Sequence, residues 1–93
     1  MNAGRVGPVL EASDVGRAIV AAIRRENEDV VVEDRGAYLR VGVAGRCHVS
    51  GATIGQELGR PFRLPGDLEQ AMPSFSGRLS LDSDGATWEA ATR

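Results

Sequence analysis

Apolar positions recur along this chain with two periods, and the switches between them mark out most of its elements. In SDVGRAIVAAIRREN (13–27), Val15, Ala18, Ile19, Ala22 and Ile23 fall at i, i+3, i+4, i+7 and i+8, which puts one apolar stripe on a helix. Ser13 or Asp14 can cap its start by accepting a hydrogen bond from a free backbone N–H, and Arg24 and Arg25 suit the negative end of its dipole. Upstream, RVGPVLE (5–11) is a strand candidate, with Pro8 placing it at a sheet edge or strand start because proline has no N–H for a ladder.

Downstream of the helix the period drops to two. DVVVE (29–33) is β-branched and strand-like. A turn at DRG leads into AYLRVGV (37–43), where Ala37, Leu39, Val41 and Val43 alternate with Tyr38, Arg40 and Gly42. Ala44-Gly45 turns the chain again into RCHVS (46–50), with Cys47 and Val49 on one face and Arg46, His48 and Ser50 on the other. The three segments predict an antiparallel meander.

SGATIGQELG (50–59) predicts a short helix capped near Ser50 or Thr53, with Ile54 and Leu58 one turn apart and Gly59 free to end it in the left-handed conformation. Gly51 and Gly55 weaken it. After the connector RPFRLPG, Pro65 at a first helical position opens a helix that points Leu68, Ala71 and Met72 one way and stops at Pro73. SFSGRLSLD (74–82) reads as one strand with Phe75, Gly77, Leu79 and Leu81 on one face. It turns at SDG into ATWEA (86–90), with Trp88 inward. The order β-α-β-β-β, α-α, β-β predicts an α/β (α+β) protein, mainly of antiparallel sheet, forming one domain over residues 1–93.

Composition narrows the function classes. Basic and acidic residues, 11 against 13, are interspersed, and the net charge of -2 gives no one-signed field to draw nucleic acid or a membrane surface. All the basic residues are Arg. No apolar run approaches the ~18 residues that suggest a spanning helix, and the start lacks the features of a secretory leader, so the chain is expected in the cytoplasm. With 42% apolar residues but few aromatics, the core must be small.

Candidate chemistry centres on the one histidine and one cysteine, His48 beside Cys47. Strand neighbours point to opposite faces, so the pair cannot easily chelate one metal ion or form a thiolate–imidazole couple. Cys47 is expected to pack and His48 to lie at the surface. The carboxylates Glu33, Asp34, Asp67, Glu69, Asp82 and Asp84 sit at turns and helix starts, where local structure already accounts for them. A phosphate-binding GxxxxGK[ST] loop is impossible without Lys. No catalytic constellation is visible, no cofactor or metal is expected, and binding is left by elimination. The residues alone leave open a generic protein-binding module for another partner, or a small hydrolase using His48 with a nearby carboxylate.

VGPVL (6–10), VEDRGAYLRV (32–41), LGRPF (58–62) and SFSG (74–77), in that order and spacing, make the chain resemble the effector (regulatory or coupling) proteins of soluble diiron multicomponent monooxygenases, nearest the toluene/alkene branch. The resemblance implies two closely packed parts, β-α-β-β and β-α-α-β-β, and a non-catalytic protein without metal or organic cofactor. It implies docking on a diiron hydroxylase component, functional association with ferredoxin and reductase components, and a monomer when free. It also implies a contact region at Ser74, Phe75 and Ser76, with Met72, Pro73 and Arg78 alongside. Read from the residues, Phe75 could equally be core and the serines could simply solvate a strand start. Arg60 and Phe62 read as structural. The helix at 51–59 carries more Gly than such a helix needs, which puts its local order in question.

Overall fold

The computed structural model describes residues 4–91, and its elements run β1 (Arg5–Glu11), α1 (Asp14–Glu26), β2 (Val31–Asp34), β3 (Tyr38–Ala44), β4 (Arg46–Ser50), α2 (Gly51–Leu58), α3 (Gly66–Ala71), β5 (Ser74–Ser76), β6 (Arg78–Leu81) and β7 (Gly85–Glu89). The strands form two antiparallel sheets, ordered β2-β3-β1-β5 and β4-β7-β6. The mixed α+β class and the antiparallel pairing agree with the reading of the sequence.

Register follows from the alternation. Val6 pairs with Val43 and Leu10 with Leu39, so the apolar residues of β1 and β3 share the face that enters the core. α1 adds Ala18, Ile19, Ala22 and Ile23 to that core, as its stripe predicts, and Ser13 caps it by accepting from the Gly16 N–H at 3.1 Å. From the second sheet come Cys47, Val49, Ala86 and Trp88, all with no exposed surface. One continuous apolar cluster therefore joins the two sheets.

Two expectations of strand pairing are corrected. The meander does not form: β2 pairs with β3, but beyond Gly45 the chain leaves for the other sheet, where β4 pairs with β7. Residues 74–82 are two strands, because Gly77, at φ 98°, turns the chain from β5, beside β1, to β6, beside β7. A Cβ on Gly77 would stand 2.6 Å from Val6 Cγ1 and 2.8 Å from the Glu89 carbonyl, so only glycine fits this crossing. The two expected parts are consequently sewn together, since the second half contributes β5 to the first sheet. Phe75 thereby loses the shared face expected with Leu79 and Leu81.

Pro8, expected at a sheet edge or strand start, lies inside the sheet with β3 on one side and β5 on the other. The β3 pairing involves Arg5, Val6, Val9, Leu10 and Glu11 but passes over Gly7 and Pro8, so the missing N–H falls at a local break in the ladder. Gly7 has φ 150° there, and its Cα lies so near Val41 that a Cβ would be 2.6 Å from that carbonyl oxygen. Pro65 is the N-cap of α3 rather than its first helical residue.

α2 is a regular helix despite its glycines. Ser50 Oγ accepts from the Thr53 N–H at 3.2 Å, and Gly59 ends the helix at φ 82°. A Cβ at Gly51 would be 3.2 Å from Leu64 Cδ1, and one at Gly55 would be 3.2 Å from the Arg60 carbonyl oxygen. The connector 60–64 lies against this helix, with Phe62 and Leu64 packed on the core. The lost helix propensity, about 1 kcal/mol per glycine, is exchanged for that contact. Among the described residues no helix is long and apolar enough to cross a membrane.

Candidate functional site

A part-buried polar cluster gathers around His48, at the junction of α1, β4, α2 and β7. Asn27, just beyond α1, accepts from the His48 N–H through Oδ1 at 3.0 Å and donates through Nδ2 to the His48 carbonyl at 2.7 Å and to that of Ile23 at 2.9 Å. Glu26 Oε2 accepts from the Ser50 N–H at 3.1 Å and from Ser50 Oγ at 2.8 Å. Its other oxygen lies 3.6 Å from His48 Nε2, and His48 Nδ1 is 2.9 Å from Thr87 Oγ1. A carboxylate is disfavoured at the C-terminal end of its own helix, yet here it also faces the N-terminus of α2. Burial pushes the Glu26 carboxyl up, but hydrogen bonds from the Thr53 and Ser50 hydroxyls and the Ser50 N–H, with the nearby His48, outweigh it and hold the group below its ordinary value.

The cluster contains a serine, a histidine and a carboxylate, but in the wrong order for nucleophilic catalysis. Such a mechanism needs the imidazole between the nucleophile and the acid. Here the carboxylate stands between, Ser50 Oγ donates to it, and the same oxygen caps α2. Cys47 points the other way, fully buried, and burial pushes its thiol up to about 12, so the reactive thiolate is scarce at neutral pH. No group of three or more His, Cys, Asp or Glu is placed to hold a metal ion among the described residues. The His48 cluster is a clasp that ties α1 to the second sheet.

The other notable surface is the outer face of the four-stranded sheet. Cross-strand registers align its outward residues: Val31 faces Gly42, Gly7 faces Ser76, and Glu33, Arg40, Val9 and Ser74 form one continuous row. Arg5, Val31, Glu33, Arg40, Gly42 and Ser76 line a shallow cleft here, about 460 Å³ in volume. Val31 (44% exposed) and Tyr38 (46%) stand on this face; with Phe75 (43%) they are the exposed large hydrophobics among the described residues.

The six expected contact residues divide. Ser74 and Ser76 lie on the outer sheet face, and Pro73, Phe75 and Arg78 are exposed beside it. Phe75 pairs with Pro8 on the core side, but β5 is the edge strand, so its ring is left half in solvent rather than in the core. Met72, at 8% exposure, belongs to the core cluster. Arg5, Val31 and Gly42 were missed as neighbours of the serines. The mixed face Tyr38-Arg40-Gly42 was visible as an alternation, but nothing in the sequence said that β5 would share a sheet with it.

A family model described as the MmoB/DmpM family matches residues 4–89. The effector subunit of the alkene monooxygenase system of Xanthobacter autotrophicus (strain ATCC BAA-1158 / Py2) is 37% identical over 90 residues, covering 95% of this chain and 88% of that protein. Two chains from structures of the phenol hydroxylase–regulatory protein complex superpose with TM-scores of 0.81 and 0.77, each at 21% identity. They cover 94% and 91% of this chain and 98% of their own lengths. At that identity the two structures speak for a common fold.

Proposed function

The chain belongs to the MmoB/DmpM family, and from that premise we propose that it is the effector of a multicomponent monooxygenase. It is not an enzyme itself. It binds the diiron hydroxylase component and promotes O2 activation, turnover and coupling in the hydroxylation or epoxidation of aromatic or alkene hydrocarbons. The observation that carries this reading is the 37% identity to an alkene monooxygenase effector subunit over 95% of the chain. The His48 clasp is consistent with it, since its hydrogen-bonding groups are occupied with one another.

The mechanism is a shift of equilibrium. A partner changes the population of two hydroxylase conformations only by the difference in its affinity for them. The effector therefore binds the oxygen-activating conformation more tightly and contributes shape, while electrons come from the ferredoxin and reductase components. The metal and the substrate pocket belong to the hydroxylase, which decides what is oxidised. The protein acts as a single domain, a monomer when free, in the cytoplasm.

Docking uses the edge formed by Pro73, Ser74, Phe75, Ser76 and Arg78, where small hydroxyl side chains admit a close approach. Reconstitution tests the function: adding the purified protein to hydroxylase, ferredoxin and reductase raises turnover and product formed per NADH. If both stay unchanged, the proposal fails. Ser76→Arg is expected to weaken hydroxylase binding without lowering Tm, and unaltered affinity would move the interface away from β5.

A further inference from the structure

The turn between β6 and β7 carries a dipeptide with a chemistry of its own. Asp84-Gly85 is the one place in the chain where Asp or Asn precedes Gly. Such a peptide is prone to cyclise, because glycine has no side chain to hinder its nitrogen. The glycine nitrogen gives up its proton and attacks the Asp carboxyl carbon, a C–N bond forms, and a carboxyl oxygen leaves as water. Water then opens the five-membered imide. Opening at the original backbone carbonyl routes the chain through the side chain as isoaspartate, with no net change in composition.

The fold requires this glycine. Gly85 is buried, and a Cβ on it would stand 2.8 Å from the Val49 carbonyl oxygen and 3.1 Å from His48 Cε1. Asp84 is exposed, and its carboxylate has no hydrogen-bond or ion-pair partner among the described residues, so the carbon to be attacked is unrestrained. The attacking nitrogen is held. The Gly85 N–H donates to Asp82 Oδ1 at 3.0 Å, and the Asp84 N–H donates to the same oxygen at 2.8 Å. The backbone around them is pinned as well: the Asp82 N–H donates to the Gly85 carbonyl at 3.1 Å, and the Asp84 carbonyl accepts from the Gly51 N–H at 2.9 Å.

The hydrogen bonds from the Gly85 and Asp84 N–H groups hold the Asp82 carboxyl below its ordinary value, so it stays ionised and accepting at neutral pH. Cyclisation needs the Gly85 nitrogen to lose the proton it directs at that carboxylate, and a negative charge alongside makes the loss harder.

We propose that Asp84-Gly85 is a latent site of isoaspartate formation and that Asp82 guards it by holding the Gly85 N–H in a charge-assisted hydrogen bond. Isomerisation there is consequential for the fold. The Asp84 carbonyl that anchors the first residue of α2 would become a free carboxylate, and an extra methylene would enter the backbone just ahead of the Gly85–Ser50 pairing. The modification therefore marks molecules in which this turn has opened.

The experiment incubates purified wild type, Asp82→Ala and Asp82→Asn at neutral pH well below each Tm, with a synthetic peptide of residues 79–93 as the unfolded reference. Isoaspartate at position 84 is followed by peptide mapping with fragmentation that separates the two isomers. Folded wild type is expected to accumulate it about tenfold or more slowly than the peptide, the rate equivalent of one hydrogen bond to a charged group. Asp82→Ala should approach the peptide rate, with Asp82→Asn between them, because its amide oxygen still accepts but brings no charge. Equal rates in folded wild type and peptide overturn the proposal. So does a folded Asp82→Ala that stays within about twofold of wild type, since the rigid backbone would then give the protection. If Asp82→Ala does not fold, Asp82→Asn carries the comparison, and a rate equal to wild type overturns the role of Asp82.

Discussion

The clasp at His48 and the outer sheet face around Arg40 are both rich in polar groups, and they handle them in opposite ways. In the clasp each group is spent on another: Asn27 satisfies both backbone groups of His48, and Glu26 satisfies Ser50, which in turn caps α2. On the outer face Arg5 and Arg40 line the shallow cleft and are ion-paired with nothing among the described residues. A polar network closed on itself holds a structure together, whereas one left open is available to something else. Reactive-looking residue types, Ser, His and Glu, mark the first region, and plain arginines mark the second.

Substitutions in the two regions should therefore separate stability from binding. The largest stability loss is expected for Asn27→Ala, which strands the His48 N–H and carbonyl in a part-buried site. The cost is about 2–3 kcal/mol, lowering Tm by roughly 10–20 °C for a chain of this size. A Tm within a few degrees of wild type would show that the clasp is dispensable. Hydroxylase affinity at a temperature where the variant remains folded should stay near wild type.

Glu26→Gln follows, at about 1 kcal/mol near neutral pH, because an amide accepts less strongly than a carboxylate. It sharpens the comparison through pH. Hydrogen bonds hold the Glu26 carboxyl below its ordinary 4.5 in the folded protein. The unfolded chain therefore binds this proton more readily, and the stabilisation is fully present above about pH 4.5 and fades as pH falls through the folded value. Urea melts of wild type against Glu26→Gln should converge as the pH is lowered through that range. A difference that stays constant would remove the carboxylate from the account.

Arg40→Gln carries the smallest stability effect, within about 0.5 kcal/mol, since its side chain is exposed. It should nevertheless weaken hydroxylase binding and flatten its dependence on salt. An unchanged salt dependence would detach Arg40 from the docking surface.

The elements themselves were legible where a local pattern sufficed. The stripe on α1, the alternation Cys47/Val49 against His48, the Gly59 stop and the inward Trp88 all follow from periodicity or turn chemistry, and all are present. Sheet membership was not legible. Gly45 and Gly77 read as ordinary turn or strand residues, whereas each transfers the chain between sheets, and a pattern of period two does not record which neighbour a strand will take. The same gap hid the neighbours of the proposed docking serines. Ser74 and Ser76 could be picked out by resemblance, but Gly42, Arg5 and Val31 join them only through the ladders β5-β1 and β1-β3-β2.

The placement of β5 bears on how the protein is made. Val9 pairs with Ser74, so β1 must wait until most of the polypeptide has left the ribosome before both of its sides are covered. Until then a nascent chain presents an unpaired edge carrying Val6, Val9 and Leu10, the sort of template on which extended segments of other chains assemble. A version ending before Ser74 would keep that edge permanently, and chaperone capture or inclusion bodies would be its expected fate.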